Sequence, residues 1–242
     1  MNNTRIYGDI VEISSDSVLE FYEKKSAKNP LNAVFLNDKL PVLGHNLRNE
    51  KEKEILLSFL DKKKYKILEL GCALGRWVDN LGFEYIEKYD GIDFCKNFID
   101  QAKEKFKEFS NINFYLMSIF DLDYNFLNEK YDLIIVSNCL MYVNDKEIKK
   151  IFKTLDKFLD VNGKIYFQDS ISVIDERLTL KNFYSDEMKT NYSAIYRTQK
   201  EYIELVESEF KNLKLQKSGL ILTKEMGARK ETNSAYFCWS RV

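Results

Sequence analysis

The sequence predicts an α/β fold: a parallel sheet with helices on both faces, closed by an antiparallel C-terminal edge strand. Three observations predict it. Between residues 66 and 170, short β-rich runs alternate with helical segments of 3.6-residue period, and parallel neighbours need such crossovers. A glycine-bearing turn separates the first run from the segment after it. The last two β-rich runs, 213–217 and 235–240, are too close for a helical crossover and so pair antiparallel.

At the N-terminal end, 17–25 puts Val18, Phe21 and Tyr22 on one helical face, and 51–60 does the same with Ile55, Leu56, Leu57 and Leu60. Between them, 29–46 holds both prolines, Pro30 and Pro41, and reads as an irregular linker or lid. The core runs are 66–69, 89–93, 113–117, 131–136 and 164–167, with amphipathic helices at 96–109 and 145–159. Asn144 followed by Glu147 is a helix-start signal. After the fifth strand, 171–198 has weak periodicity and reads as a functional insertion. Thr198-x-x-Glu201 is a capping box ahead of a helix carrying Tyr202, Leu205, Val206 and Phe210. One domain is expected over 1–242, divided into an N-terminal helical cap (1–64), a core (65–170), the insertion (171–198) and a C-terminal helix with edge strands (199–242).

Composition bounds the function. The chain has 242 residues, 45% hydrophobic and 14% aromatic, with 9 Gly and 2 Pro, which is enough apolar surface to exclude disorder. Its 37 basic and 38 acidic residues leave a net charge of −1, arguing against nucleic acid as a partner. No apolar run approaches the roughly 20 residues of a membrane span, and the beginning of the chain lacks the apolar stretch of a signal peptide. A cytoplasmic location and no membrane partner are therefore expected. Cys72, Cys95, Cys139 and Cys238 form no C-x-x-C pair, so reduced thiols and no metal are expected.

The chemistry concentrates in Glu69-Leu70-Gly71-Cys72-Ala73-Leu74-Gly75-Arg76. Ligands of open α/β sheets bind outside the carboxyl ends of the strands, where this loop falls; a tight turn with no ligand is the alternative. A dinucleotide fingerprint counted from Gly71 needs glycine or alanine where Arg76 stands, which weakens a nicotinamide reading. No G-x-x-x-x-G-K-[ST] string exists, so nucleotide hydrolysis by a P-loop falls away.

What remains resembles the class I S-adenosylmethionine-dependent methyltransferases of small-molecule type, whose first motif has an acid two positions before a glycine loop. Here Glu69, Gly71, Cys72 and Gly75 match it, and Ala73 replaces the usual middle glycine. The resemblance implies a Rossmann-like sheet and S-adenosylmethionine as cofactor. It implies that Asp93 accepts hydrogen bonds from the ribose hydroxyls, a task suited to an acceptor-only carboxylate; capping the helix at Lys96 is the alternative. Ser118 and Ile119 fall where the family contacts adenine, without its usual acid, and Asp121 is a second candidate; Phe94 would cover the adenine face. Asn138 and Cys139 fall beneath the methionine portion, and Tyr142 on the acceptor side. Asn138 is not followed by Pro-Pro-aromatic, and no Pro-Cys pair occurs, which favours a small molecule over DNA. Upstream, Arg48 would pair with the cofactor carboxylate and Tyr22 would cover the sulfonium region, with ordinary helix-surface roles as the alternative.

Acceptor-side candidates are Tyr142, Asp169, Arg177, Tyr196 and Arg197, because sheet top and insertion should converge there. An insertion arginine suits an anionic acceptor. The only histidine, His45, would have to fold over the site to act as a base. The expected activity is O-methylation of a small polar or anionic acceptor, such as a phosphorylated or saccharide precursor of a surface polysaccharide. Alternatives are protein or nucleic-acid methylation, suggested by Lys62-Lys63-Lys64, and a non-catalytic cofactor-binding module. Nothing in the sequence sets the oligomeric state.

Overall fold

The structure is a computed structural model that describes residues 4–35, 42–61, 64–186 and 188–242. The N-terminal part contains strand β1 (Thr4–Tyr7) and helices α1 (Ser15–Lys28), α2 (Pro30–Phe35) and α3 (Val42–Leu57). Ser14 caps α1 by accepting from the Ser17 N–H at 3.4 Å. Of the segment expected to be irregular over 29–46, the described residues are largely helical. Pro30 opens α2, where its missing N–H has no helical partner to lose. Pro41, Lys62 and Lys63 lie outside the described residues, as does the side chain of His45.

The core runs β2 (Tyr65–Leu70), α4 (Arg76–Leu81), β3 (Ile86–Asp93), α5 (Lys96–Lys105), β4 (Ile112–Leu116), α6 (Tyr124–Leu127), β5 (Tyr131–Ser137), α7 (Asp145–Phe158) and β6 (Leu159–Ser172). It continues through β7 (Leu178–Ser185), β8 (Thr190–Tyr196), α8 (Gln199–Glu209), β9 (Leu213–Leu220) and β10 (Thr232–Arg241). The main sheet has the order β4-β3-β2-β5-β6-β10-β9. Strands β2 to β6 pair in parallel, and β10 pairs antiparallel with both β6 and β9. Strand order reverses at β2, which has β3 on one side and β5 on the other, so a crevice opens above their carboxyl ends.

Both faces of this sheet are covered, and strand alternation sorts its side chains. Ile134 and Val136 pack with Ile148, Phe152, Leu155 and Tyr202 beneath α7 and α8. Leu133 and Ile135 pack with Leu56, Trp77, Val78 and Ile99 on the opposite face. Each such fully buried side chain contributes roughly 1.5–3 kcal/mol. The capping box of Thr198 and Glu201 is present at α8. Asn144 is the N-cap of α7, but its amide serves another purpose: it accepts from the Ile13 N–H at 2.9 Å and donates to the Ile13 carbonyl at 3.1 Å.

The insertion is a β-hairpin. Strands β7 and β8 form a second sheet of order β1-β7-β8, with Ile6 opposite Thr179. A register shift between Leu180 and Phe183, with Asn182 at φ +51°, interrupts the two-residue period that would have marked a strand. Among the described residues, no helix is long and apolar enough to cross a membrane.

Candidate active site

The turn after β2 takes its shape from three left-handed residues: Gly71 at φ +69°, Ala73 at φ +46° and Gly75 at φ +73°. A Cβ on Gly71 would come 2.9 Å from Cys139 Cβ, and one on Gly75 would come 2.7 Å from the Phe106 ring. Ala73 holds the same conformation with a side chain, at a cost of roughly 1–2 kcal/mol. Its N–H donates to Asp93 Oδ2 at 3.0 Å, and Asp93 Oδ1 accepts from the Cys95 N–H at 2.8 Å. Burial pushes the Asp93 carboxyl up to about 6, against the hydrogen bonds from Cys95 and Ala73. A carboxylate has about four acceptor positions, so Asp93 retains capacity for a ligand's hydroxyls. Glu69 is also raised by burial, to about 8, while its hydrogen bond from the Tyr89 hydroxyl pulls the other way.

A cavity of about 240 Å³ opens above this turn. Its wall includes Tyr22, Arg48, Glu69, Gly71, Cys72, Ala73, Asp93, Phe94, Ser118, Ile119, Asn138 and Cys139. Gly75 and Asp121 are not on the wall; Gly75 instead packs against Phe106 and Phe114. Ser118 Oγ accepts from the Phe120 N–H at 3.2 Å, which fixes the turn after β4. Asn138, at φ +55°, reverses the chain after β5, and its N–H donates to the Gln168 carbonyl at 2.8 Å. Burial raises the Cys139 thiol well above its ordinary value, so it stays protonated.

One buried charge escaped the sequence reading. Glu52 on α3 accepts from Arg48 Nε at 2.7 Å and Gln168 Nε2 at 2.6 Å through Oε1, and from Arg76 through Oε2. Burial alone would raise its carboxyl, but Arg76 and Arg48 outweigh that and hold it at about 2. This pairing aims Arg48 at the cavity, where its Nη2 lies 3.4 Å from Asn138 Oδ1. Glu52 sits in a charged run that reads as a solvated face; the only signal was its i,i+4 spacing from Arg48.

A second cavity of about 120 Å³ adjoins the first and shares Tyr22, Arg48, Asn138 and Tyr142 with it. Tyr196 donates to the Tyr192 hydroxyl at 3.4 Å, and the Tyr192 and Tyr142 hydroxyls are 3.1 Å apart. The Tyr22 ring meets Tyr142 edge-to-face at 5.4 Å. Burial pushes all four phenols up. Among the described residues, this wall carries no carboxylate and no imidazole. Tyr192 was missed because the insertion did not read as strand.

Three acceptor-side expectations are corrected, because Asp169, Arg177 and Arg197 line neither cavity. Asp169 is fully buried, accepts from the Tyr202 hydroxyl at 2.9 Å and is raised by burial to about 7. Arg177 pairs with Glu201 at 2.8 Å and Asp145 at 2.7 Å. Arg197 follows Tyr196 at the end of β8, and successive side chains there point to opposite sides. Tyr196 takes the cavity and Arg197 the interior, where its charge is met by Asp145 and two backbone carbonyls.

Residues 67–163 match the family described as a methyltransferase domain. Over these residues the chain is similar to methyltransferase domains. Phosphoethanolamine N-methyltransferase 3 of Arabidopsis thaliana is 26% identical to it over 164 residues, covering 68% of this chain and 32% of that protein. The chain thus spans about a third of that relative's length. Two solved structures share the fold. A SAM-dependent methyltransferase of Leishmania major has a TM-score of 0.71 at 18% identity, covering 93% of this chain and 82% of that one. Phosphoethanolamine N-methyltransferase 1 of Haemonchus contortus, in complex with phosphoethanolamine and S-adenosylhomocysteine, has 0.70 at 19%, covering 94% and 49%. The cofactor of this domain class is S-adenosylmethionine. The residues present fit it: Asp93 has acceptor capacity for ribose hydroxyls, Phe94 offers a ring face, and Arg48 and Glu69 suit an amino-acid end.

Proposed function

We propose that the protein transfers a methyl group from S-adenosylmethionine to a small polar or anionic acceptor seated in the tyrosine-lined cavity. The observation that carries this reading is the meeting of the two cavities at Tyr22, Arg48, Asn138 and Tyr142. Asp93 holds the ribose, Phe94, Ser118 and Ile119 hold the adenine, and Glu69 and Arg48 hold the amino-acid end. Bound S-adenosylmethionine supplies a sulfonium-activated methyl group, whose transfer to an acceptor lone pair leaves a neutral thioether.

The acceptor side works by positioning, which can be worth ~7–11 kcal/mol. Tyr142, Tyr192 and Tyr196 are held neutral by burial and present hydroxyls rather than a base. The reacting atom is therefore one that attacks without first giving a proton to a side chain: a phosphate or carboxylate oxygen, or an uncharged amine. Two guanidinium groups on the wall, Arg48 and Arg229, suit an anionic acceptor. The names of the phosphoethanolamine N-methyltransferases support a phosphorylated small molecule. A phosphorylated saccharide precursor of a surface polysaccharide meets the same requirement.

The test is methyl transfer, read by mass spectrometry, to phosphoethanolamine and a sugar 1-phosphate beside ethanolamine and the free sugar. A phosphorylated acceptor should react at least about tenfold faster than its counterpart without the phosphate, the scale of a lost charge-assisted hydrogen bond. Equal rates with and without the phosphate would contradict the anionic reading.

A further inference from the structure

Arg197 is fully buried, and four of its five side-chain hydrogen bonds go to one turn and to the helix start that follows it. Its Nη1 donates to the Leu140 carbonyl at 3.1 Å and its Nη2 to the Val143 carbonyl at 2.6 Å. Nε and Nη2 both reach Asp145 Oδ1, at 2.8 and 2.6 Å. The two carbonyls bracket Met141 and Tyr142, and Asp145 opens α7 immediately afterwards. Asn138, Cys139, Tyr142 and Val143, all in or beside this turn, line the cofactor cavity. A guanidinium presents its donors in a rigid planar fork, so one side chain sets the spacing of both carbonyls and of the helix start. Tyr202 extends the arrangement: its hydroxyl accepts from Arg197 at 3.4 Å and donates to Asp169 at 2.9 Å.

Arg177 supplies the comparison. It too is buried and binds Asp145, through the other carboxylate oxygen, but its second partner is Glu201 on α8 and it makes no hydrogen bond to the turn.

We propose that Arg197 is a positioning residue for cofactor binding, its guanidinium holding the Leu140–Val143 turn in the shape that completes the cavity wall. The proposal rests on the reading of that cavity as the S-adenosylmethionine site. Through Tyr142, which stands on the walls of both cavities, the same clamp aligns the acceptor side with the cofactor side.

The test is calorimetric titration with S-adenosylhomocysteine of the wild type, Arg197→Lys and Arg177→Lys, with melting temperatures measured alongside. Lysine keeps the charge opposite Asp145 but cannot span both carbonyls. Arg197→Lys should weaken binding at least about tenfold, while Arg177→Lys stays within about twofold, although both lower the melting temperature. Unchanged affinity in Arg197→Lys overturns the proposal, and so do equal losses in the two variants, which would mark a general stability effect. Should Arg197→Lys fail to fold, Arg197→Gln, whose amide can reach one of the two carbonyls but not both, takes its place: weaker binding with cooperative unfolding supports the proposal, and wild-type affinity overturns it. A wild type that binds no S-adenosylhomocysteine overturns the cofactor reading, and this proposal with it.

Discussion

The backbone N–H of Ala73 donates to Asp93 Oδ2 at 3.0 Å, so a left-handed alanine is held in place by the carboxylate at the end of the neighbouring strand. The turn after β2 and the tip of β3 thereby form one unit, and their common edge is the wall of the larger cavity.

That alanine carries avoidable strain. Ala73→Gly removes the Cβ at φ +46°, a relief of roughly 1–2 kcal/mol offset by about 0.5–1 kcal/mol of extra chain entropy. Urea unfolding should therefore show the variant to be as stable as the wild type or up to ~1.5 kcal/mol more stable. A clear loss of stability would mean that the methyl group makes a packing contribution larger than its strain.

The buried Glu52 makes stability depend on acid. Its carboxyl falls from 4.5 to about 2 on folding, burial being outweighed by Arg76 and Arg48. A folded-state value below the unfolded one contributes stability that is full above about 4.5 and lost as pH falls toward 2. The linkage is on the order of 3 kcal/mol. Glu52→Gln should be less stable than the wild type at pH 7, with the gap narrowing as pH drops from 4.5 to 2. Urea unfolding across that range checks it, and a pH-independent gap would contradict the ion-pair account.

The parallel core was legible because its strands are buried on both faces and read as unbroken apolar runs, as in Leu133 to Val136. The second sheet was not: β1 is four residues long, and its partner lies more than 170 residues away. Within the cofactor cavity, glycines and acids at motif spacing could be matched one by one. On the acceptor side the choice between Tyr196 and Arg197 depended on strand phase, which the bulge at Asn182 conceals. Glu52 was hidden for a different reason, since a charged run gives no sign of which member turns inward to meet two arginines.

The central claim is that the cavity walled by the β2 turn and Asp93 binds S-adenosylmethionine. Its most direct test is calorimetric titration with S-adenosylhomocysteine of the wild type and of Asp93→Asn, which keeps the shape of the side chain and removes its charge. Saturable one-site binding by the wild type, weakened at least about tenfold in a folded Asp93→Asn, is the predicted result. No binding by a folded wild type, or equal affinity in the two proteins, would contradict it.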